Sequence, residues 1–264
     1  MEEPVTFKDQ QGHLVSAILS RPSQDSCAVA VLCHGFLSNK NSTTNKTLTR
    51  LLNEAGVATF RFDFFGQGQS EGLFEDITVS LAVGQADAAI ALMRSTGYDT
   101  IGLVGSSFGG LAAILTAAQR QDVASLALKC PVVDFGEELR LEFGPDELAR
   151  WQSTDTVPNF MGGADRVRLK FRLYEDCLRH IAYEPASRIV APTLIVQGAR
   201  DELVPLHQSQ RLLEALRGRK RLEFLPEADH QFTRGEDFRA MTAAITEWLV
   251  RDLMPGRLPS DTME

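Results

Sequence analysis

The chain has 264 residues, 44% of them hydrophobic and 23% charged, with a formal net charge of −8. That length suits one α/β domain with a substantial core, or one domain carrying an insertion. Nucleic acid is disfavoured as a partner, because there is no long basic run and no interleaving of aromatic with basic residues, and no apolar stretch approaches the ~18 residues of a membrane span. One basic cluster, Arg217, Arg219, Lys220 and Arg221, reads as a solvated helix C-terminus favoured by the helix dipole. The N-terminal Met1-Glu2-Glu3-Pro4 is acidic and has no apolar signal core. The cysteines Cys27, Cys33, Cys130 and Cys177 have no C-x-x-C spacing, and Cys33 and Cys130 sit in apolar runs as small buried hydrophobes. A cytoplasmic chain is the expectation.

Along the chain, apolar residues at 5–7 and 14–19 flank Gln10-Gln11-Gly12, a hairpin signal. Residues 28–33 form a continuous apolar run ending in His34-Gly35. A helical pattern through Leu48, Leu51, Leu52 and Ala55 stops at Gly56, and a strand over 57–62 ends in the Gly-rich loop Asp63 to Ser70. Helix is expected over 79–94, strand over 101–104, helix to 119 and strand over 125–129. The alternation then breaks. Residues 135–188 are charged and aromatic with irregular helical patterning, before strands at 193–197 and 221–225 and helices at 206–216 and 235–253. A hairpin followed by βα units predicts an α/β fold with a mostly parallel, doubly wound sheet of about eight strands. An interruption of roughly 50 residues is too long for a loop and reads as an inserted helical cap. The core is then 1–134 with 189–264, and the cap is 135–188.

The stretch Gly105-Ser106-Ser107-Phe108-Gly109 lies between the strand at 101–104 and an Ala-rich helix. A strand-to-helix turn of G-x-S-x-G form holds its central residue in a strained conformation, with glycines removing the Cβ atoms that would collide. Ser107 is that residue, and its hydroxyl would stand at the C-terminal edge of the sheet. A Gly-rich turn cradling a phosphate has the same outline. A serine nucleophile needs a base, and the base needs an orienting carboxylate, in the chain order Ser, Asp, His for this kind of turn. Asp201 follows the strand at 193–197, where ligand sites of open α/β sheets lie, although Asp201 or Glu202 would also cap the next helix.

The chain has five histidines, His13, His34, His180, His207 and His230. His230, in the loop after the last strand, can reach over the serine. His34 ends a strand ahead of the serine and reads as structural, and His207 stands at a helix start. A tetrahedral oxyanion needs pre-aimed donors. The backbone N–H of Phe108 is one, and Phe36, after the close-approach residue Gly35, is the candidate for the second. No H-E-x-x-H or clustered His/Cys set points to a metal, and no cofactor is expected.

Together, His34-Gly35-Phe36, Asp63-Phe64-Phe65-Gly66-Gln67-Gly68, Gly105 to Gly109, Gly198 with Asp201 and Val204-Pro205, and Asp229-His230 resemble the α/β-hydrolase superfamily. Within it, the chain looks most like bacterial serine esterases related to cinnamoyl and feruloyl esterases, over nearly its whole length. The resemblance implies an α/β-hydrolase fold, a triad of Ser107, Asp201 and His230, and oxyanion donors at Phe36 and Phe108. It also implies a cap after the sixth strand that builds the acyl pocket. Gly35, Asp134, Trp151 and Tyr174 are the expected substrate contacts. Trp151, Phe160, Phe171 and Tyr174 either line that pocket or form the cap's own core, and Asp134 either approaches the pocket or caps the next segment. Two departures bear on acyl preference: Gln67 replaces the usual His, and Ser106 stands where many relatives carry His.

The leading expectation is a serine carboxylic-ester hydrolase acting on small or aromatic acyl esters. A peptidase, thioesterase or acyltransferase would use the same residues, and a non-catalytic binding protein on the same fold is the reading from another class. The partner expected is a small-molecule ester, with no nucleic acid and no membrane, and with a homodimer left open.

Overall fold

The structure is a computed structural model and describes residues 1–157 and 168–255. Eight strands form one sheet in the order β1-β2-β4-β3-β5-β6-β7-β8. They are β1 (Glu2–Lys8), β2 (Leu14–Ser20), β3 (Ala28–Cys33), β4 (Ala58–Phe62), β5 (Thr100–Ser106), β6 (Val123–Lys129), β7 (Thr193–Gly198) and β8 (Lys220–Leu225). The β1–β2 hairpin joins antiparallel through β2 to β4, and all pairs from β4 to β8 are parallel. The fold is therefore the α/β-hydrolase fold that the sequence implies.

Among the described residues eight α-helices flank it: α1 (Thr43–Glu54), α2 (Val79–Ser95), α3 (Phe108–Gln119), α4 (Phe135–Thr154), α5 (Arg172–Cys177), α6 (Tyr183–Ala186), α7 (Leu206–Ala215) and α8 (Gly235–Leu253). The period-2 alternation of β3 shows why both faces are covered. Ala28, Ala30 and Leu32 pack with Leu48 and Leu52 of α1 and with Ile245 and Trp248 of α8. Val29, Val31 and Cys33 face the other layer, with α2, α3 and Leu212 of α7. A strand buried on both faces has no polar alternation, so it reads as an unbroken apolar run. Side-chain caps fix helix starts: Ser42 Oγ accepts from Asn45 N–H at 3.3 Å, Thr78 Oγ1 from Leu81 N–H at 3.1 Å, and Asp134 from Glu137 N–H at 2.9 Å.

The segment between β6 and β7 holds α4, α5 and α6. Within α4 the helix breaks at Gly144, whose φ of 66° and ψ of 175° are not helical, with Pro145 following. The basic cluster is divided among partners: Lys220 Nζ donates to the Leu216 carbonyl at 2.6 Å, while Arg219 pairs with Asp252 and stacks over Trp248.

Candidate active site

Ser107 is the single residue between β5 and α3, with φ 53° and ψ −120°. An L-residue avoids that region unless its surroundings enforce it. The enforcement comes from packing at the flanking glycines. A Cβ on Gly109 would stand 2.3 Å from the His34 carbonyl oxygen, and one on Gly105 would stand 2.5 Å from the Gly109 oxygen. The Ser107 N–H donates to the Lys129 carbonyl at 3.0 Å, which pins the turn to the end of β6. Phe108 opens α3, so its N–H has no acceptor within the helix.

Asp201 lies three residues beyond β7. Its Oδ1 accepts from the N–H groups of Leu203 and Val204 at 3.0 and 2.8 Å, and its Oδ2 from Gln197 Nε2 at 2.9 Å. His230 Nδ1 is 2.9 Å from both carboxylate oxygens. A carboxylate only accepts, so Nδ1 carries the ring proton and Nε2 is left as a base. Burial pushes the Asp201 carboxyl up, but the hydrogen bond and charge of His230 with the Val204 N–H outweigh it and hold the group below its ordinary value.

The other histidines are engaged elsewhere. His34 donates from Nδ1 to the Gly35 carbonyl at 2.7 Å and accepts at Nε2 from Phe64 N–H at 3.0 Å. Burial depresses its pKa to about 4, so the ring is a neutral strut between two loops. His207 is exposed against Glu137 at 3.0 Å, His13 pairs with Asp9, and His180 with Asp176.

The loop carrying Gly35 and Phe36 is fastened from below. Lys40 forms a buried ion pair with Asp63, and Asp63 Oδ1 also accepts from the Lys40 N–H at 2.6 Å. Gly68, with φ 56°, passes so close that a Cβ there would meet the Asp63 carboxylate at 2.2 Å. Gln67 accepts from the Ser38 N–H at 3.2 Å, which makes it a support for this loop. The Phe36 ring packs against Phe74, Phe108 and Phe135 with centroids 4.9 to 5.4 Å away.

Ser107, Asp201, His230, Gly35, Phe36 and Phe108 all line one cavity of about 580 Å³. That volume lies in the ordinary range for a small-molecule site. Three of the expected substrate contacts do not line it. Trp151 is buried in an aromatic cluster with Phe143, Phe171 and Tyr174, and its Nε1 donates to the Leu169 carbonyl at 2.8 Å. Large aromatics with a satisfied polar edge pack a core first, and Trp151 belongs to the hydrophobic core on one face of the sheet, with Tyr174 packed against it. Asp134 is spent on capping α4 and faces Arg140 at 3.7 Å. Phe160 lies outside the described residues.

The cavity wall comes instead from the first half of α4, through Phe135, Glu138, Leu139, Leu141 and Glu142. Their spacing of three to four residues was the available signal. Burial, then the charges of Asp201, Asp134 and Glu137, push the Glu138 carboxyl well above its ordinary value, and its Oε1 has no hydrogen-bond partner. Lys129 also lines the cavity, unannounced by the sequence except as a charge at the end of an apolar run.

Among the described residues, one group has metal-ligand spacing: donor atoms of Cys130, Asp201 and His230 lie within 4.8 Å of one another. Asp201 and His230 are already bonded to each other, and burial, then the Asp201 charge, push the Cys130 thiol well above its ordinary value. Nδ1 of His230 and both oxygens of Asp201 are thus committed to each other.

The model of the alpha/beta hydrolase family matches residues 30–243. An uncharacterized 31.7 kDa protein of the traX-finO intergenic region of Escherichia coli is 25% identical, over 84% of this chain and 90% of its own. The mitochondrial palmitoyl-protein thioesterase ABHD10 of Bos taurus is 25% identical over 66% of this chain and 57% of its own. Among solved structures, Est1E of Butyrivibrio proteoclasticus with ferulic acid bound superposes with a TM-score of 0.83 at 24% identity, covering 94% of this chain and 98% of that one. Among the described residues no helix is long and apolar enough to cross a membrane.

Proposed function

Because the chain belongs to the alpha/beta hydrolase family, we propose that it is a serine carboxylic-ester hydrolase that works through an acyl-enzyme on small or aromatic, hydroxycinnamoyl-type acyl esters. One observation carries this reading. The strained Ser107 shares a cavity with a His230 ring whose proton is held on Nδ1 by both oxygens of Asp201.

In the proposed cycle, His230 Nε2 takes the proton of the Ser107 hydroxyl as Oγ adds to the ester carbonyl. The new oxyanion sits against the N–H groups of Phe36 and Phe108, the second at the positive end of α3. His230 then hands its proton to the leaving alcohol. Water repeats the sequence on the acyl-serine, with His230 again as base, and releases the acid. Asp201 stays ionised and steadies the imidazolium.

A second reading is thioester cleavage of a longer acyl chain. It is favoured by Leu37 and Leu141, which line the cavity yet are 46% and 67% exposed, an apolar mouth suited to a chain that extends out of the site. The name of the bovine relative points the same way.

The test is direct. A fluorophosphonate should label the protein at Ser107, and Ser107→Ala should lower turnover of p-nitrophenyl acetate about 10⁴-fold or more with the fold intact. Ser106→Ala should keep most of the activity. Equal loss in both variants would remove Ser107 from the nucleophile's role. Comparing methyl ferulate with a palmitoyl thioester then separates the two substrate classes.

A further inference from the structure

We propose, resting on the roles just given to Ser107 and His230, that Lys129 is a positioning residue that ties the nucleophile's turn to the base's loop and supplies a fixed positive charge opposing protonation of the base.

Lys129 is the last residue of β6 and is 4% exposed. Its Cα pairs with Ser106 on β5 and with Val196 on β7, so it stands at the middle of the sheet's catalytic edge. Both of its ends are occupied by the site. The carbonyl accepts from the Ser107 N–H at 3.0 Å, and the ammonium donates to the His230 carbonyl at 2.6 Å. One side chain thus crosses from β6, past β7, to the loop after β8. That loop is strained at Phe232, with φ 54°, and the ammonium stands 5.3 Å from the Phe232 ring. A backbone held at positive φ two residues past the base keeps its shape only if something anchors it.

A buried ammonium is an expensive anchor where an apolar side chain of the same length would pack. Its charge therefore has to be set against its surroundings. Around it are Cys130 just after β6, Asp201 and Glu202 after β7, and Asp229 and His230 after β8. The carboxylates hold the cation in place, and the cation in turn disfavours a second positive charge on the neighbouring imidazole. Burial lowers the Lys129 pKa, with those carboxylates opposing the shift. On this proposal, removing the cation should leave the base easier to protonate.

Lys129→Met removes the charge and the donor but keeps the volume. Near pH 8 its kcat on p-nitrophenyl acetate should fall about tenfold or more, with KM within about threefold, because an interaction that matters when the base moves the proton has gone. The acidic limb of its kcat/KM profile should move up by about half a pH unit or more. Lys129→Arg, which keeps the cation, should restore the limb to within about 0.2 unit of the parent.

An unmoved limb in Lys129→Met would overturn the proposal even if kcat fell, since a purely structural role lowers the rate without moving the limb. If the Met variant fails to fold, by circular dichroism, Lys129→Gln carries the same expectations. Fluorophosphonate labelling of the parent keeps the two readings apart. A parent unlabelled at Ser107 sinks the triad, whereas a labelled parent with unmoved limbs in the variants sinks the role of Lys129 alone.

Discussion

The C-terminal edge of the sheet and the segment between β6 and β7 share one cavity but are built on different terms. At the sheet edge, position is set by backbone. Strand register places Ser106 beside Lys129, glycine contacts below 3 Å lock the serine turn, and carboxylate-to-amide bonds fix Asp201. The segment between β6 and β7 is attached largely through side chains. Asp176 accepts from Ser80 N–H and Oγ, both at 2.8 Å, and Asp76 pairs with Lys170 and Arg172 at 2.8 and 2.7 Å. Part-exposed pairs of that kind hold weakly, because water screens them. The comparison teaches that Ser107 and Asp201 sit where the backbone has little freedom, while the wall beside them is held by side-chain packing and pairing.

The sharpest way to break this contrast is to insert one methyl group at the sheet edge. Gly109→Ala would drive a Cβ into the His34 and Cys33 carbonyls, at 2.3 and 2.4 Å. It should cost about 3 kcal/mol or more in urea denaturation, since backbone has to move. Gly144→Ala, between β6 and β7, meets nothing within 4 Å and carries only the cost of a backbone, φ 66° and ψ 175°, that is nearly reserved for glycine, about 1–3 kcal/mol. Similar losses in the two variants would erase the distinction.

Acid and alkali should find different weak points. His34 has a folded pKa of about 4 against an ordinary 6.5, so the unfolded chain takes the proton first as pH falls. Stability from neutral His34 is complete above 6.5 and is lost toward pH 4, a decline on the order of 3 kcal/mol. The stability gap between the parent and His34→Gln should therefore narrow in acid. Glu138 behaves in the opposite sense. Its raised pKa means the folded state keeps the proton longer, so stability drains away as pH climbs above the ordinary 4.5. Glu138→Gln should raise Tm at neutral and alkaline pH and give no gain below 4.5. A gain that persists in acid would assign the effect to packing.

The smallest expected effect is on selectivity. Leu139 is buried in the cavity wall, and Leu139→Ala should change the ratio of kcat/KM for a hydroxycinnamate ester over p-nitrophenyl acetate about tenfold, with a lesser change on the acetate itself. Trp151→Phe, outside the wall, should leave that ratio within about twofold of the parent. A ratio that follows Trp151 instead of Leu139 would return the aromatic cluster to the pocket.

The same contrast explains what the sequence disclosed. The parallel strands are apolar runs because both faces are buried, so they were legible within a few residues. The serine turn was legible because its glycines answer a steric demand visible in their spacing. Asp201 and His230 were legible because the ends of parallel strands converge at one edge, and His34 was legible as a strut. The segment between β6 and β7 was not. Its helical period breaks at Gly144, and the prominent aromatics Trp151 and Tyr174 drew notice while burying themselves away from the cavity. Lys129 was missed because a charge closing an apolar strand ordinarily faces water, and here it faces a carbonyl 2.6 Å away.

The break in α4 has an engineering consequence. Residues 138, 139, 141 and 142 precede it and border the cavity, whereas Trp151 follows it and holds the aromatic cluster. At Gly144 the backbone turns, and the Phe143 ring just before it packs on Trp151 after it, with centroids 5.5 Å apart. A combinatorial library confined to those four positions leaves Phe143 and Trp151 untouched, so variants that differ in the cavity wall should inherit the aromatic cluster unchanged.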